Sequence, residues 1–184
     1  MTRLAVTLNA LGLYAVALVL AAAFAAQWLL HELPCPLCLL QRIQFAVLAI
    51  GPIMNVRWGP RPSHYALSLL AAATGAAFST RQVLLHIMPG DAGYGTALFG
   101  YHYYTLALIG FATAIVLLAA MLLFDAQFKE DGAAAPAAPS AFATTAVWLV
   151  IGLTALNVAS TLLECGFAAC ADNPVVYELL KHGS

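Results

Sequence analysis

The chain has 184 residues, of which 63% are hydrophobic and only 8% are charged, with a formal net charge of −1. A soluble domain carries about a quarter charged residues, so this composition excludes an ordinary cytosolic protein and a disordered chain. Seven Lys and Arg residues leave no basic surface for nucleic acid. We therefore expect an all-α, polytopic membrane protein that folds as a transmembrane helix bundle.

Five apolar segments are long enough to cross a bilayer, which takes about 20 residues. They run from Leu4 to Leu30, Cys38 to Val56, His64 to Met88, His102 to Phe124 and Phe142 to Leu163. The first is too long for the apolar part of a cleaved signal peptide and leads straight into further spans. We expect a four-helix core over 1–124, an Ala/Pro-rich linker over 125–141, a fifth helix over 142–163, and a tail over 164–184.

The Lys and Arg residues of the short loops predict the orientation. Arg3 precedes the first span, Arg57 and Arg61 lie between the second and third, and Lys129 lies between the fourth and fifth. With five spans these positions share one side, which is predicted to be the cytoplasm. The opposite side, the periplasm in a bacterium, then receives the loops after the first and third spans and the C-terminal tail.

All four cysteines fall on the predicted periplasmic side, where disulfides persist. They form two close pairs, Cys35 with Cys38 and Cys165 with Cys170. Four cysteines allow three pairings, of which the local one is compatible with the spacing. Two alternatives stay open at this point: a four-cysteine zinc site and a pair of static disulfides.

The first pair lies at the start of the second span. Free backbone N–H groups and the helix dipole lower the pKa of a cysteine at a helix N-terminus, which favours the reactive thiolate. Arg42 lies one helical turn after Cys38 and would favour that thiolate further. An Arg inside a membrane segment is costly and is therefore a functional candidate. Snorkelling of its charge to the interface is the alternative.

The second pair follows the fifth span. Gly166 lies between Cys165 and Cys170, and the Asn-Pro step after them also predicts a turn. A turn can bring the two sulfurs together. On a regular helix, the side chains of residues i and i+5 point in different directions and their sulfurs would not meet. The pair is then either a structural staple or an exposed disulfide that exchanges with the thiols of a partner.

At this point the sequence resembles the bacterial disulfide-bond formation protein B (DsbB) family. The resemblance is carried by CPLCLLQR at 35–42, RQV at 81–83 and GYHYYT at 100–105, and it covers roughly Leu4 to Phe124. It implies a bundle of four spans in the inner membrane. It also implies an enzyme that reoxidises a periplasmic thioredoxin-like (DsbA-like) dithiol oxidase and passes the electrons to a membrane quinone, here of the ubiquinone type.

The resemblance also implies roles for individual residues. Cys38 would be the thiolate nearest the quinone, Cys35 its partner, and Arg42 the activating cation. Gln41, Arg81 and His86 are further candidates, with Arg42, for binding the quinone. Better-known members carry their second pair between the third and fourth spans, where this chain has no cysteine. We therefore assign the shuttle role to Cys165 and Cys170, after an extra fifth helix.

Three other functions make distinguishable predictions. A conveyor that carries reducing equivalents outward needs a thiol facing the cytoplasm, and the predicted topology provides none. A metal-binding membrane protein would hold zinc or copper through its thiolates, which elemental analysis detects. A non-enzymatic scaffold would keep both disulfides inert toward dithiol proteins.

Overall fold

The computed structural model describes residues 3–128 and 139–183, and it is almost entirely helical. The predicted all-α helix bundle is confirmed. A short hairpin of two antiparallel strands, β1 (Ala97–Leu98) and β2 (Tyr101–His102), lies in the loop before α5. The sequence did not predict these strands. The helices are α1 (Arg3–Leu29), α2 (Pro36–Leu48), α3 (Ile50–Trp58), α4 (Pro62–Leu85), α5 (Tyr103–Leu122) and α6 (Ala141–Cys165).

The second predicted span is two helices with a break at Ala49. Pro52 in the first turn of α3 has no N–H to donate to the carbonyl of residue 48, and its ring crowds that carbonyl, so α2 ends there. Gly51 lies next to the break, and a Cβ at that position would come within 2.2 Å of the His64 carbonyl oxygen. The missing side chain therefore lets α3 and α4 approach closely.

Within residues 3–128 and 139–183, four segments are long and apolar enough to cross a membrane: α1, α2 with α3 (Pro36–Trp58), α5 and α6. The 24-residue α4 has the length but is not among them. Several of its polar side chains are buried against other helices, including His64, Ser68, Ser79 and Gln82. Since α4 packs against α2, α3 and α5, we keep the five-span topology as a prediction.

The helices pack in the order α6, α1, α2 with α3, α4, α5. The core between α2, α4 and α5 is aromatic: the rings of Phe45 and Phe111 are stacked with centroids 4.0 Å apart. A Cβ on Gly75 would lie 2.4 Å from the Phe111 ring. Glycine at this position therefore makes room for the stacked pair in the middle of the bundle.

Helices α1 and α6 run parallel. Near the start of α6, the Tyr14 hydroxyl donates to the Phe142 carbonyl at 3.1 Å. Near the end of both helices, Gln27 Nε2 donates to Ser160 Oγ at 2.8 Å. The C-terminal end of α6, with its cysteines, therefore lies at the same end of the bundle as the start of α2. We call this the outer end.

The predicted boundaries differ from the structure by one to three residues. The second helix begins at Pro36 rather than Cys38, and α4 ends at Leu85 rather than Met88. The linker predicted over 125–141 begins with a 3₁₀ turn at Asp125–Phe128, and its residues 129–138, including Lys129, lie outside the described residues. Ser140 caps α6 by accepting a hydrogen bond from the Ala143 N–H.

Candidate functional site

The first cysteine pair caps the N-terminus of α2. Cys35 is the N-cap residue, and its Sγ accepts a hydrogen bond from the Cys38 backbone N–H at 3.2 Å. Pro36 follows at the first helical position, where a missing N–H costs no helical hydrogen bond. The two cysteines form a disulfide, with their Cα atoms 5.0 Å apart. The local pairing therefore occurs at the helix terminus that the sequence predicted.

Gln82 of α4 contacts both sulfurs of this disulfide. Its Nε2 donates to Cys35 Sγ at 3.1 Å and to Cys38 Sγ at 3.5 Å, and its Oε1 accepts from Gln41 Nε2 at 2.9 Å. Both glutamines are buried. A hydrogen bond to an ionised acceptor is roughly twice as strong as one to a neutral acceptor. The Gln82 amide therefore stabilises a thiolate here more than it stabilises the disulfide.

Arg42 points from α2 toward α1. Its guanidinium donates to Gln27 Oε1 at 2.8 Å and to the Ala23 carbonyl at 3.0 Å, and it lies over the Phe24 ring, 5.8 Å from the centroid. Both hydrogen-bond acceptors are neutral. A charged side chain in the middle of a bilayer costs about 3 kcal/mol or more. These contacts hold the guanidinium inside the bundle against α1, so the Arg42 side chain does not snorkel to the membrane interface.

Gln27 links Arg42 to the C-terminal part of the chain. While its Oε1 accepts from Arg42, its Nε2 donates to Ser160 Oγ on α6 at 2.8 Å and to the Tyr177 hydroxyl in the tail at 3.0 Å. Gln27 is 2% exposed. The helix and tail that flank the second cysteine pair therefore contact the residue that holds Arg42.

A cavity of about 240 Å³ lies beside Cys38 and Arg42. Its walls are mainly apolar and come from α1, α2, α5 and the loop before α5. An apolar cavity of about 150 Å³ is large enough to bind benzene, so this one admits a ring-sized ligand. Its polar lining consists of Glu32, Gln41, Arg42, Tyr94, Tyr103 and Tyr104.

Tyr94 is the polar group that the loop before α5 adds to this cavity. Its hydroxyl donates to the Leu33 carbonyl at 2.7 Å. Burial raises the pKa of Tyr94, and the nearby negative charges of Glu164 and Glu32 raise it further. The phenol therefore stays protonated and keeps its function as a hydrogen-bond donor.

The second cysteine pair closes a tight turn at the end of α6. Cys165 is the last helical residue, and Gly166 takes a φ of +64°, which an L side chain rarely adopts. Cys165 and Cys170 form a disulfide with Cα atoms 4.6 Å apart, as the turn prediction requires. Cys165 is buried and Cys170 is partly exposed, beside the fully exposed Phe167. An incoming thiol would therefore meet the Cys170 side of the disulfide first.

Arg81 and His86 are not brought to the cavity. Arg81 is exposed, because it lies about 100° around α4 from the buried Gln82. His86 ends α4, with its Nδ1 3.0 Å from Asp91 Oδ1, and its ring stacks on Tyr104 at 5.5 Å. Tyr104 lines the cavity and His86 does not. Of the four predicted ligand-binding residues, the structure places Gln41 and Arg42 at the cavity.

A shared zinc site does not form in the described parts of the chain. Both cysteine pairs are disulfides, so their sulfurs are not free thiolates. Over residues 3–128 and 139–183, no group of three or more His, Cys, Asp or Glu side chains is arranged to hold a metal ion. The two pairs are therefore two separate disulfides in this structure.

Comparison with known families gives a match over residues 5–160 to disulfide bond formation protein DsbB. The chain belongs to the DsbB family. The match is longer than the resemblance seen in the sequence, since it runs past the fourth predicted span and well into α6. The extra fifth helix beyond the DsbB core consequently stays a prediction.

Individual relatives of the DsbB family match a shorter part of the chain. Disulfide bond formation protein B of Xanthomonas axonopodis pv. citri is 40% identical over 86 residues, which are 44% of this chain and 50% of that protein. The protein of the same name from Chromobacterium violaceum is 40% identical over 72 residues, 36% of this chain and 42% of that protein. The chain thus spans about half the length of the relatives it matches. No solved structure matches it.

Sequence reasoning missed three residues of the site. Gln82 and Gln27 are polar residues near the outer ends of apolar helices, a signal that could have marked them as buried hydrogen-bonding groups. Glu164 is an acidic residue directly before Cys165 at the end of a predicted span. The sequence could not show that Gln27 bonds to Arg42, that Gln82 contacts the first disulfide, or that the charge of Glu164 interacts with that of Arg42.

Proposed function

We propose that this chain is a multi-pass inner-membrane thiol-disulfide oxidoreductase. It would reoxidise a periplasmic thioredoxin-like dithiol oxidase and pass the electrons to a membrane quinone of the ubiquinone type, supporting disulfide bond formation. One observation supports this most directly: the Cys35–Cys38 disulfide borders, together with Arg42, a mostly apolar cavity of ring size. Membership of the DsbB family supports the same reaction class.

The residues around the cavity suit a quinone. A quinone head is an apolar ring with two carbonyl acceptors, and it would supply an acceptor for two electrons and two protons. Gln41 and Arg42 have N–H groups beyond those already bonded and offer donors for such carbonyls, and the cavity walls are apolar. Arg81 and His86 were also predicted to bind it, and their positions outside the cavity give that part of the proposal less support.

The chain's own residues account for the electron path up to the cavity. The thiolate of a reduced partner attacks the Cys165–Cys170 disulfide, and a mixed disulfide forms as one cysteine leaves. The partner's second thiol then attacks the partner's own sulfur in the mixed disulfide and displaces the cysteine still bonded to it, so the partner leaves oxidised and the pair is left as a dithiol. The reduced pair next exchanges with Cys35–Cys38, which becomes a dithiol. Gln82 and the free N–H groups of α2 stabilise the thiolate at this helix terminus.

The proposed orientation has the N-terminus in the cytoplasm and both cysteine pairs on the periplasmic side. It rests on the Lys and Arg distribution and on the five-span count. The parallel arrangement of α1 and α6 supports it, because it puts both pairs at one end of the bundle. Thiol-reactive probes that cannot cross the membrane would then label all four cysteines from the periplasm after reduction.

The test is oxidation of a thioredoxin-like dithiol by the purified full-length chain with a ubiquinone analogue. Cys38→Ser should abolish quinone reduction, because it removes the proposed electron donor. Cys165→Ser and Cys170→Ser should stop turnover with the protein dithiol. Full turnover in these two variants would show that the shuttle role is assigned to the wrong pair.

A further inference from the structure

Glu164 is a buried carboxylate that the proposed reaction does not yet use. It lies at the end of α6, next to Cys165, and is 2% exposed. Neither of its carboxylate oxygens has a hydrogen-bond partner among the described residues. Buried polar groups are hydrogen-bonded in the great majority of cases, and an ionisable group inside a membrane segment is a functional candidate.

Among the described residues, Arg42 of α2 is the cation that lies near Glu164. Gln27 bonds both to Arg42 and to Ser160, which precedes Glu164 by one turn of α6, and the charges of Arg42 and Glu164 interact. The other titratable groups around this pair are Tyr94 in the loop before α5, on which the charge of Glu164 acts, and Tyr177 in the tail, which interacts with Arg42. Arg42 donates its hydrogen bonds to neutral groups. Glu164 therefore lies where it can balance the charge of Arg42.

Reduction of the first disulfide changes this balance. In the oxidised protein an ionised Glu164 would offset the charge of Arg42, since the two charges interact. A Cys38 thiolate adds a second negative charge at the outer end, where low polarity makes excess charge costly. Arg keeps its proton in proteins, so the carboxylate is the group that can change.

We propose that Glu164 takes up a proton when the Cys38 thiolate forms and releases it when the disulfide closes again. The inference rests on the proposed function, in which the Cys38 thiolate is the electron donor. It assigns Glu164 as a proton site that acts through the charge of Arg42. The negative partner of Arg42 is thus Glu164 in the oxidised state and Cys38 in the reduced state.

The atoms and electrons balance. A dithiol brings two electrons and two protons to the Cys35–Cys38 disulfide and becomes a disulfide itself. The electrons break the S–S bond, one proton stays on Cys35, the other goes to Glu164, and Cys38 remains a thiolate. Reoxidation by a two-electron, two-proton acceptor, the proposed quinone substrate, removes both protons and restores the carboxylate.

The test is the pH dependence of the Cys35–Cys38 equilibrium, measured on the full-length chain without quinone. Redox buffers of known potential set the equilibrium, and alkylation with mass spectrometry reads each cysteine pair separately. At a fixed potential the ratio of reduced to oxidised pair should fall about 100-fold per pH unit near pH 7 when two protons are bound. It should fall about tenfold per pH unit in Glu164→Gln, which binds only one.

Two variants serve as controls. Glu178→Gln changes an exposed carboxylate of the tail that pairs with Lys181, and it should keep the wild-type dependence. Glu164→Asp keeps a carboxyl group and should restore the 100-fold dependence. A tenfold dependence in the wild type, or a 100-fold dependence in Glu164→Gln, would overturn the proposal. Wild-type protein that shows the 100-fold dependence but reduces no quinone would support the proton site and refute the quinone reaction.

Discussion

The two ends of the bundle both bury polar side chains, but they do so in different ways. At the end opposite the cysteines, five side chains form a closed network whose hydrogen-bonding groups pair with one another or with nearby backbone. Its members are Asn9, Asn55, His64, Tyr65 and Gln127. We call this the inner network. None of its residues lines the cavity beside Cys38.

At the outer end, by comparison, the buried polar side chains are not all hydrogen-bonded to one another or to backbone. Arg42 donates to neutral acceptors, Glu164 has no hydrogen-bond partner among the described residues, and a cavity lies beside Cys38. A closed network rigidifies a membrane bundle, whereas a charged group without hydrogen-bond partners near a cavity has a free energy that ligand or proton binding can change. The proposed reaction therefore falls at the end of the bundle that has an unsatisfied buried group and open space, and not at the end with the closed network.

The largest expected effect is that of Arg42→Gln at the outer end. Losing the cation should slow thiol-dependent quinone reduction about 100-fold, the usual size for loss of one electrostatic contact to a developing charge. Steady-state assays with a protein dithiol measure it. Arg57→Gln, which changes an exposed Arg at the end of α3, is the matched control and should stay near wild type. A rate within twofold of wild type for Arg42→Gln would remove Arg42 from the site.

Asn55→Ala should break the inner network without affecting the chemistry. Asn55 is fully buried and bonds to Asn9, the Arg61 N–H and His64. Leaving these groups unpaired should lower the free energy of unfolding by about 2 kcal/mol. Denaturation in detergent measures it, while turnover per folded molecule should stay at the wild-type value. If turnover of Asn55→Ala dropped as much as is expected for Arg42→Gln, the two ends would not be functionally separate.

Gln82→Leu should have an intermediate effect on the chemistry. It removes the donor to both sulfurs and leaves the Gln41 amide without its acceptor. Loss of about one hydrogen bond, near 1.4 kcal/mol, corresponds to a tenfold shift of the Cys35–Cys38 equilibrium toward the disulfide. Equilibration with a redox buffer measures it. Thr74→Val, a change on the exposed part of the same helix, should leave the equilibrium unchanged.

The smallest expected effect concerns the loop at the outer end. The backbone N–H of Gly93 and the hydrogen bond to His86 hold the pKa of Asp91 below its ordinary value. The contribution of the ionised Asp91 to the free energy of unfolding is therefore fully present above its unfolded pKa of about 4. It is lost as the pH falls through the lower pKa of the folded state. Asp91→Asn should be slightly less stable than wild type at pH 7 and equal to it in strong acid. Thermal unfolding at both pH values measures this, and an equal difference at both would contradict it.

The sequence determined the membrane helix bundle and the chemistry of its cysteines. Apolar length predicts α1, α5 and α6 to within about two residues, because a bilayer requires long uninterrupted apolar helices. The two local disulfides follow from nearby residues. Cys35 and Cys38 lie at a helix start, and Cys165 and Cys170 close a turn at Gly166. The break at Ala49 also has a local cause in Pro52, although apolar content alone did not reveal it.

Only the tertiary structure decided which polar residues belong to the site. Arg81 and Gln82 are neighbours in sequence, yet one is exposed and the other contacts both sulfurs of the first disulfide. That difference depends on how α4 is rotated against α2, which helix packing sets and no local pattern encodes. The approach of Glu164 to Arg42 likewise requires α6 to pack beside α1, more than 100 residues away along the chain.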